Sequence, residues 1–320
     1  MTEMLTAEKA QEIWLRLYPE GMTQGDLSRR LGIHIQTSGN LLPAAGSALS
    51  ELGRQLYREE PSLERCTEIL AADAALSELV LHAAHLAALG SRRFNLQYAV
   101  MFLGLTRLRV LFGVALLRWM NGDKLAGAWL PLWERSLFTA RLVERLAAHY
   151  HPVDGTEYLA GLFHDAAWPA LVPFLRQDYG LFFDEPDALF PLEHEIFGTS
   201  HADIGAAICV RSGLAPHVVE AVALHHDATL PDAARLRNPR YNGPFLAVLL
   251  RLADAAADAC GFPIPVANAP VDATRPTFEE ILHTPVFQWL RALGLPPNLP
   301  ALAEEELAQV RRVGALLARD

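Results

Sequence analysis

Residues 158–172 of the chain, YLAGLFHDAAWPALV, place a histidine and an aspartate side by side at the end of an apolar run. The run before His164 and Asp165 has the composition of a buried helix. Two explanations fit the doublet. It is either a pair of polar residues where a helix leaves the core, or a pair of ligands for one metal ion, since imidazole and carboxylate both suit divalent cations.

Composition narrows the class of protein. The chain has 320 residues, 51% of them hydrophobic, which is enough to bury a core without disulfides or structural metals. The formal net charge of -10 argues against a protein that binds nucleic acid or anionic membranes through a basic surface. Cys66, Cys209 and Cys260 are odd in number and far apart, so we expect buried free thiols in a reducing compartment.

No targeting or membrane segment is expected either. The first residues lack the apolar core of a signal peptide. The apolar run 110–117 lies between two arginines and is shorter than the roughly 20 residues that a membrane-spanning helix needs. We therefore expect a cytoplasmic protein without a membrane segment.

Start and stop signals along the chain are those of helices, and strand alternation is nearly absent. Ser62 and Ser200 precede apolar runs as N-caps do, and Gly213 follows one as a C-terminal stop does. Pro216 and Pro244 suit a first helical turn. The sequence predicts an all-α fold.

Further polar residues fall at the predicted helix ends. His201 opens a helix, His225 and His226 close another, and Asp254 lies in a third. Such a set could hold one or two ions that polarise a phosphoryl group. Chance placement is the competing explanation, because the chain has twelve histidines and a histidine at a helix C-terminus interacts favourably with the dipole without any metal. On spacing alone, chance placement is favoured.

The order of five segments resembles the HD superfamily of helical domains, and more narrowly the HDOD family, the HD-related output domains of bacterial signalling proteins. The segments are WERSLFTARLVERLA (133–147), GLFHD (161–165), HADIGAAI (201–208), VVEAVALHHD (218–227) and RLAD (251–254). Residues 41–90 and 95–117 resemble the N-terminal helices of that family, so the likeness covers about residues 38–260.

The resemblance implies an HD-like helical bundle lobe that follows a helical N-terminal lobe. We expect four regions along the chain: an N-terminal helical extension (1–37), the helical N-terminal lobe (38–125), the HD-like lobe (126–262), and a C-terminal linker with closing helices (263–320).

The resemblance also implies roles for single residues. Active HD enzymes carry their first metal histidine at the position that Arg135 occupies here, and a guanidinium offers no lone pair to a cation. The remaining metal positions are matched by His164, Asp165, His201, His225 and Asp254. His226 is the alternative to His225, because neighbours on a helix diverge by about 100° and only one is expected to face an ion.

Two physical outcomes follow. Arg135 could replace the ion and pair with Asp165 and Asp254, leaving the protein without a cofactor. Alternatively, one divalent ion (Mn, Mg, Fe, Ni or Zn) could remain on Asp165, His201 and His225. Asp165 and Arg135 would then be the candidate catalytic residues, with Arg135 contacting a phosphate. We expect the first outcome, because a permanent cation opposes metal binding nearby.

A second departure bears on activity. The related HD-GYP phosphodiesterases of cyclic di-GMP carry Gly-Tyr-Pro after the paired histidines, whereas residues 240–244 here are RYNGP. We therefore predict a catalytically inactive regulatory module of signal transduction that acts through a signalling protein partner or a nucleotide ligand. The alternative is a divergent metal-dependent phosphohydrolase.

A third hypothesis concerns residues 22–42, which resemble a helix-turn-helix. Gly39 lies inside the proposed recognition helix and Pro43 ends it early. Together with the acidic net charge, these residues make DNA binding the least expected of the three functions.

Overall fold

The computed structural model confirms the all-α fold, since its described residues form helices and no strand. It describes residues 47–58, 60–88, 94–121, 130–168, 193, 198–227, 229–232, 239–262, 275–294 and 298–317. The helices are α1 (Ser47–Leu56), α2 (Leu63–Ala71), α3 (Ala74–Ala87), α4 (Leu96–Asn121), α5 (Leu130–Ala147), α6 (Thr156–Phe163), α7 (His201–Arg211), α8 (Pro216–Leu224), α9 (Gly243–Ala259), α10 (Phe278–Leu282), α11 (Pro285–Ala292) and α12 (Leu299–Leu317).

Side-chain caps set several helix starts where the sequence predicts them. The Ser62 hydroxyl accepts a backbone hydrogen bond at the start of α2, and the Ser200 hydroxyl does so at the start of α7. Pro216 is the first residue of α8. The run after Ser62 is divided into two helices, because the Asp73 carboxylate accepts from two backbone amides and begins α3.

Helix α4 is less deeply buried than its apolar sequence suggests. It is kinked at Gly104, whose φ of 69° lies in the left-handed region. Before the kink, Tyr98, Met101 and Phe102 are exposed. After it, Leu108 and Phe112 are buried. On its other face the first half buries Ala99, Val100 and Leu103 in the core, so it is amphipathic rather than buried on all sides.

Part of α4 also meets the length and composition of a membrane-spanning helix. Residues Leu96–Leu116 pass this test, alone among the described helices, and 44% of the apolar window is buried inside the protein. The run is longer than the sequence-based estimate because it continues across Arg107 and Arg109. In the structure, α4 packs against α1, α2, α3 and α6.

Helices α5, α6 and α9 form the framework of the second half of the molecule. Helix α6 lies so close to α5 that a Cβ added to Gly161 would be 2.4 Å from the Ala140 Cα. Helix α9 contacts α5, α6, α8 and the C-terminal helices. The C-terminal helix α12 packs on α5, where the buried Glu306 accepts hydrogen bonds from Arg141 and Arg145.

Arg109 joins the two halves of the molecule. Its Nη1 lies 2.9 Å from the Asp154 Oδ2, just before α6, and its Nε and Nη2 donate to the Leu56 carbonyl at the end of α1. The three cysteines are free thiols, as expected: Cys66 and Cys209 are buried, and Cys260 is partly buried.

Several predictions fall outside the described residues. These include the extension 1–37, the helix-turn-helix-like segment 22–42 and the boundary between the predicted lobes near residue 125. The four-region division and the cytoplasmic location therefore remain predictions.

Candidate functional site

The predicted site residues come together in one cluster between α5, α6, α7, α8 and α9. Four of its histidine and aspartate side chains are buried, together with the arginine: Arg135, His164, Asp165, His201 and His225. His226 and Asp254 are partly buried. The cluster has two parts, one around Arg135 and one around His201.

The first part is organised by the Arg135 guanidinium. Its Nη2 lies 2.5 Å from the Asp254 Oδ1, and its Nη1 donates to the Asp258 Oδ1 at 2.6 Å and to the Phe262 carbonyl at 2.8 Å. Its Nε is 3.6 Å from the Asp165 Oδ2. The predicted pairing of Arg135 with Asp165 and Asp254 is therefore present, together with a third carboxylate, and the absence of a metal ion stays a prediction.

Sequence reasoning missed Asp258. This residue lies one helical turn after Asp254 on α9, so the four-residue spacing within DAAAD was the available signal. The Phe262 carbonyl, by contrast, has no sequence signal, because any residue could supply it. The Arg135 side chain has no exposed surface and both of its terminal nitrogens donate to carboxylates, so the predicted contact with a phosphate would require these bonds to change.

His164 adds a second positive charge to this part. Its Nδ1 donates to the Gly161 carbonyl, which can only accept, so its Nε2 is the atom that faces Asp165 and Asp254, at 3.2 Å from each carboxylate. Burial disfavours the charged ring, but the neighbouring carboxylates outweigh burial and raise the pKa of His164 to about 10. His164 is therefore an imidazolium at neutral pH.

The second part consists of three imidazoles whose Nε2 atoms converge. The His201 Nε2 lies 2.9 Å from the His226 Nε2 and 3.3 Å from the His225 Nε2. The Asp165 Oδ1 is 3.6 Å from the His201 Nε2. His225 and His226 both face the cluster, contrary to the expectation of one or the other. Helix α8 ends at Leu224, and both histidines lie in the turn that follows, in which the Asp227 amide donates to the Leu224 carbonyl.

The opposite ring atoms of two histidines are held by hydrogen bonds. The His201 Nδ1 donates to Glu193, which lies 2.7 Å away, and the His225 Nδ1 donates to the Val222 carbonyl at 2.6 Å. Such outer hydrogen bonds fix the tautomer and orient metal-binding histidines. The buried Glu193 was not predicted, because it lies eight residues before His201 without a recognisable spacing.

The protonation of the three rings determines how their converging Nε2 atoms interact, because two unprotonated Nε2 atoms point their lone pairs at each other. Burial and the neighbouring imidazoles lower the pKa of His225 to about 3 and hold the pKa of His226 well below its usual value. Burial opposes protonation of His201 too, but Glu193 and Asp165 outweigh it and raise its pKa. Either a proton on His201 or a metal ion is needed between these nitrogens.

The spacing of the nitrogens fits a metal ion. An ion about 2.0–2.1 Å from two nitrogens, at angles between about 90° and 110°, places those nitrogens about 2.9–3.4 Å apart. The observed separations of 2.9 Å and 3.3 Å lie within this range. The three histidines, with Asp165 beside them, can therefore hold one divalent ion. His164, Asp165 and Asp254 also have ligand atoms close enough to share an ion, but the permanent charge of Arg135 beside these carboxylates opposes its binding.

A helical bundle with a histidine–aspartate cluster at the ends of its helices defines a domain of the HD type. A family model for the HDOD domain matches residues 42–228, and the chain belongs to the HDOD family. No curated protein matches the chain.

Solved structures share this fold. An HDOD domain protein with unknown function from Geobacter sulfurreducens is 20% identical, with a TM-score of 0.58 over 90% of this chain and 98% of its own. A presumed phosphohydrolase from Shewanella amazonensis SB2B is 18% identical, with a TM-score of 0.58 over 89% of this chain and 97% of its own. A presumed signal transduction protein from Marinobacter aquaeolei VT8 is 18% identical, with a TM-score of 0.55 over 93% of this chain and 66% of its own.

Proposed function

We propose that this HDOD protein is a regulatory module of signal transduction that does not hydrolyse phosphoesters. The observation that carries the proposal is the ion-pair network of Arg135 with Asp254 and Asp258. Two-metal phosphohydrolases place two ions about 3.5–4 Å apart between shared carboxylates. In this chain a guanidinium supplies positive charge to carboxylates of the kind that would hold such an ion, and its charge persists at every physiological pH.

The protein acts by binding rather than by catalysis, with a signalling protein as its partner. Exposed apolar side chains in the first half of α4 support this part of the proposal. Tyr98, Met101 and Phe102 lie on one face of a helix at three- and four-residue spacing, with exposed fractions of 65%, 61% and 39%. Contiguous exposed apolar side chains commonly mark protein-binding surfaces. A nucleotide is the alternative ligand.

A test measures phosphoester hydrolysis by the full chain with added Mn²⁺ or Mg²⁺, on nucleotides, cyclic dinucleotides and p-nitrophenyl phosphate. We expect no turnover above that of the Asp165→Asn variant. Turnover by the wild type that disappears in Asp165→Asn, with the melting temperature unchanged, would overturn the proposal.

One observation favours a second candidate, a divergent metal-dependent phosphohydrolase. The converging Nε2 atoms of His201, His225 and His226 suit one ion, with Asp165 beside them. A bound ion would act there as a Lewis acid toward a phosphoryl oxygen. Neighbouring groups orient the histidine ligands: Glu193 holds the His201 ring, and the Val222 carbonyl holds the His225 ring.

Metal content separates the two candidates. Protein purified without chelator or nickel affinity is analysed for metal alongside His201→Ala and Asp165→Ala. About one ion per chain that both variants lose, together with turnover, would establish the phosphohydrolase. An ion without turnover would make it a structural or regulatory ligand of the module.

A further inference from the structure

A second site candidate is a cleft between the end of α8 and the first turns of α9, whose lining contains none of the clustered histidines. Its volume is about 290 Å³. A cavity of roughly 150 Å³ holds a benzene molecule, and pockets for small molecules begin near about 300 Å³. The cleft therefore suits a ligand of about the size of one amino acid.

The walls of the cleft are mainly apolar. The end of α8 and the turn after it contribute Leu224, Leu230 and Pro231, and α9 contributes Pro244, Ala247 and Val248. These side chains favour a ligand with an apolar body.

Two opposite charges also line this cleft. The Arg251 Nη1 donates to the backbone carbonyl of Asp227 at 2.7 Å, and within the described part of the chain no carboxylate lies within 4.0 Å of its guanidinium. The Asp227 Oδ1 accepts from the Thr229 amide at 2.8 Å, and the described residues place no cation within 4.0 Å of that carboxylate. Asp232 is a second carboxylate in the lining.

The arrangement specifies the charges of a ligand. Arg251 and Asp227 line one cavity but stay more than 4.0 Å apart, so neither neutralises the other through an ion pair. A partly buried charge gains most from a counter-charge with a hydrogen bond. A ligand that carries an anionic and a cationic group on the same carbon atom can pair with both, whereas a neutral ring satisfies neither charge.

We propose that this cleft binds a free apolar α-amino acid. Its carboxylate pairs with Arg251, its ammonium group pairs with Asp227, and its side chain lies against the apolar wall. Asp227 directly follows His226, and Arg251 lies one helical turn before Asp254 on α9. The bound amino acid therefore contacts the same two segments that carry the histidine cluster, but its binding does not depend on a metal ion or on the proposed function.

The test is calorimetry and thermal unfolding of the full chain with single amino acids. We expect leucine, isoleucine, valine, methionine or phenylalanine to bind and raise the melting temperature, since a ligand that binds only the folded state stabilises it. N-acetyl-leucine lacks the ammonium charge and leucine methyl ester lacks the carboxylate. Each should bind at least about tenfold more weakly than leucine if both charges are recognised.

Two variants locate the site. Arg251→Gln and Asp227→Asn should each weaken binding about tenfold or more, while Arg54→Gln, an exposed arginine elsewhere, should leave it unchanged. Circular dichroism checks that each variant is folded, and the two blocked leucines test charge recognition without any variant. The proposal is overturned if no amino acid binds at millimolar concentration, or if the blocked leucines bind as well as leucine.

Discussion

The Nη2 of Arg135 lies 2.5 Å from the Oδ1 of Asp254, the same oxygen that the Nε2 of His164 approaches at 3.2 Å. One carboxylate oxygen is therefore shared by a guanidinium and an imidazolium. Arg135 and His164 together supply two positive charges to Asp165, Asp254 and Asp258, so this part of the cluster is nearly neutral without a metal ion.

Removing the guanidinium should destabilise the protein strongly. In Arg135→Met the three carboxylates keep their burial and lose their main counter-charge, which costs about 3–5 kcal/mol for a buried pair. Urea denaturation measures the loss. Arg135→Lys keeps the positive charge, but the compact ammonium group lacks the planar geometry that contacts both Asp254 and Asp258. We therefore expect a loss of stability smaller than that of Arg135→Met. If Arg135→Met unfolds at the same urea concentration as the wild type, the ion-pair network does not stabilise the fold.

Replacing Arg135 by histidine should create a metal site. Arg135→His removes the permanent charge and adds an imidazole beside His164, Asp165 and Asp254, which are donors that suit divalent ions. We expect the variant to bind more metal per chain than the wild type after dialysis against Mn²⁺ or Zn²⁺. Equal metal content in Arg135→His and in the wild type would show that other residues prevent binding.

The raised pKa of His164 predicts a pH dependence. Its folded pKa of about 10 lies above its usual value of 6.5, so its charged form stabilises the fold fully below about pH 6.5. This stabilisation is lost as the pH rises toward 10. The free energy of unfolding, measured at pH 7, 8 and 9, should therefore fall more steeply in the wild type than in His164→Gln. Parallel slopes would mean that His164 is neutral.

Helix α12 offers a matched pair of glutamates. The Glu306 side chain is 3% exposed and contacts Arg141 and Arg145, whereas the neighbouring Glu305 is 62% exposed and contacts Arg145. Glu306→Ala should cost about 1–2 kcal/mol, because it removes the buried acceptor of two charged hydrogen bonds while the partly exposed arginines left behind can be solvated. Glu305→Ala should cost less than about 1 kcal/mol. If the two variants have the same denaturation midpoint, the buried Glu306 contributes no more to the packing of α12 than the exposed Glu305.

Two glycines test close packing between helices, Gly161 on α6 and Gly205 on α7. A Cβ at Gly161 would lie 2.4 Å from the Ala140 Cα, which cannot move aside, so Gly161→Ala should cost about 1–3 kcal/mol. A Cβ at Gly205 would meet the Val222 Cγ1 at 3.1 Å, a side-chain contact that can adjust. Gly205→Ala should therefore change stability by less than about 1 kcal/mol. Thermal unfolding measures both variants, and a melting temperature of Gly161→Ala as high as that of Gly205→Ala would contradict the close contact at Gly161.

Parts of the fold and of the candidate site could be predicted from the sequence because they depend on residues close together along the chain. Helix starts at Ser62, Ser200 and Pro216 depend on caps within three or four residues, so the sequence predicted them. The doublet His164-Asp165 and the position of Arg135 were recognisable because their segments keep the order found in the HDOD family.

Other features depend on contacts between distant segments. Glu193 orients His201, and Asp258 binds Arg135 across 123 residues of chain. The first pairing has no recognisable spacing, and the DAAAD spacing does not reveal that Arg135 is the partner of Asp258, because these residues meet only when the helices pack. The orientation of His225 and His226 also needed the structure, since it depends on where α8 ends.

The sequence by itself determined the helical fold and the family, because periodicity, caps and the order of the segments can be recognised along the chain without its packing. Only the tertiary structure decided that the cluster has two parts: an ion-pair network around Arg135, and three histidines whose Nε2 atoms lie at metal-ligand spacing. The physical reason is that charge compensation depends on distances between side chains from different helices, and packing sets those distances.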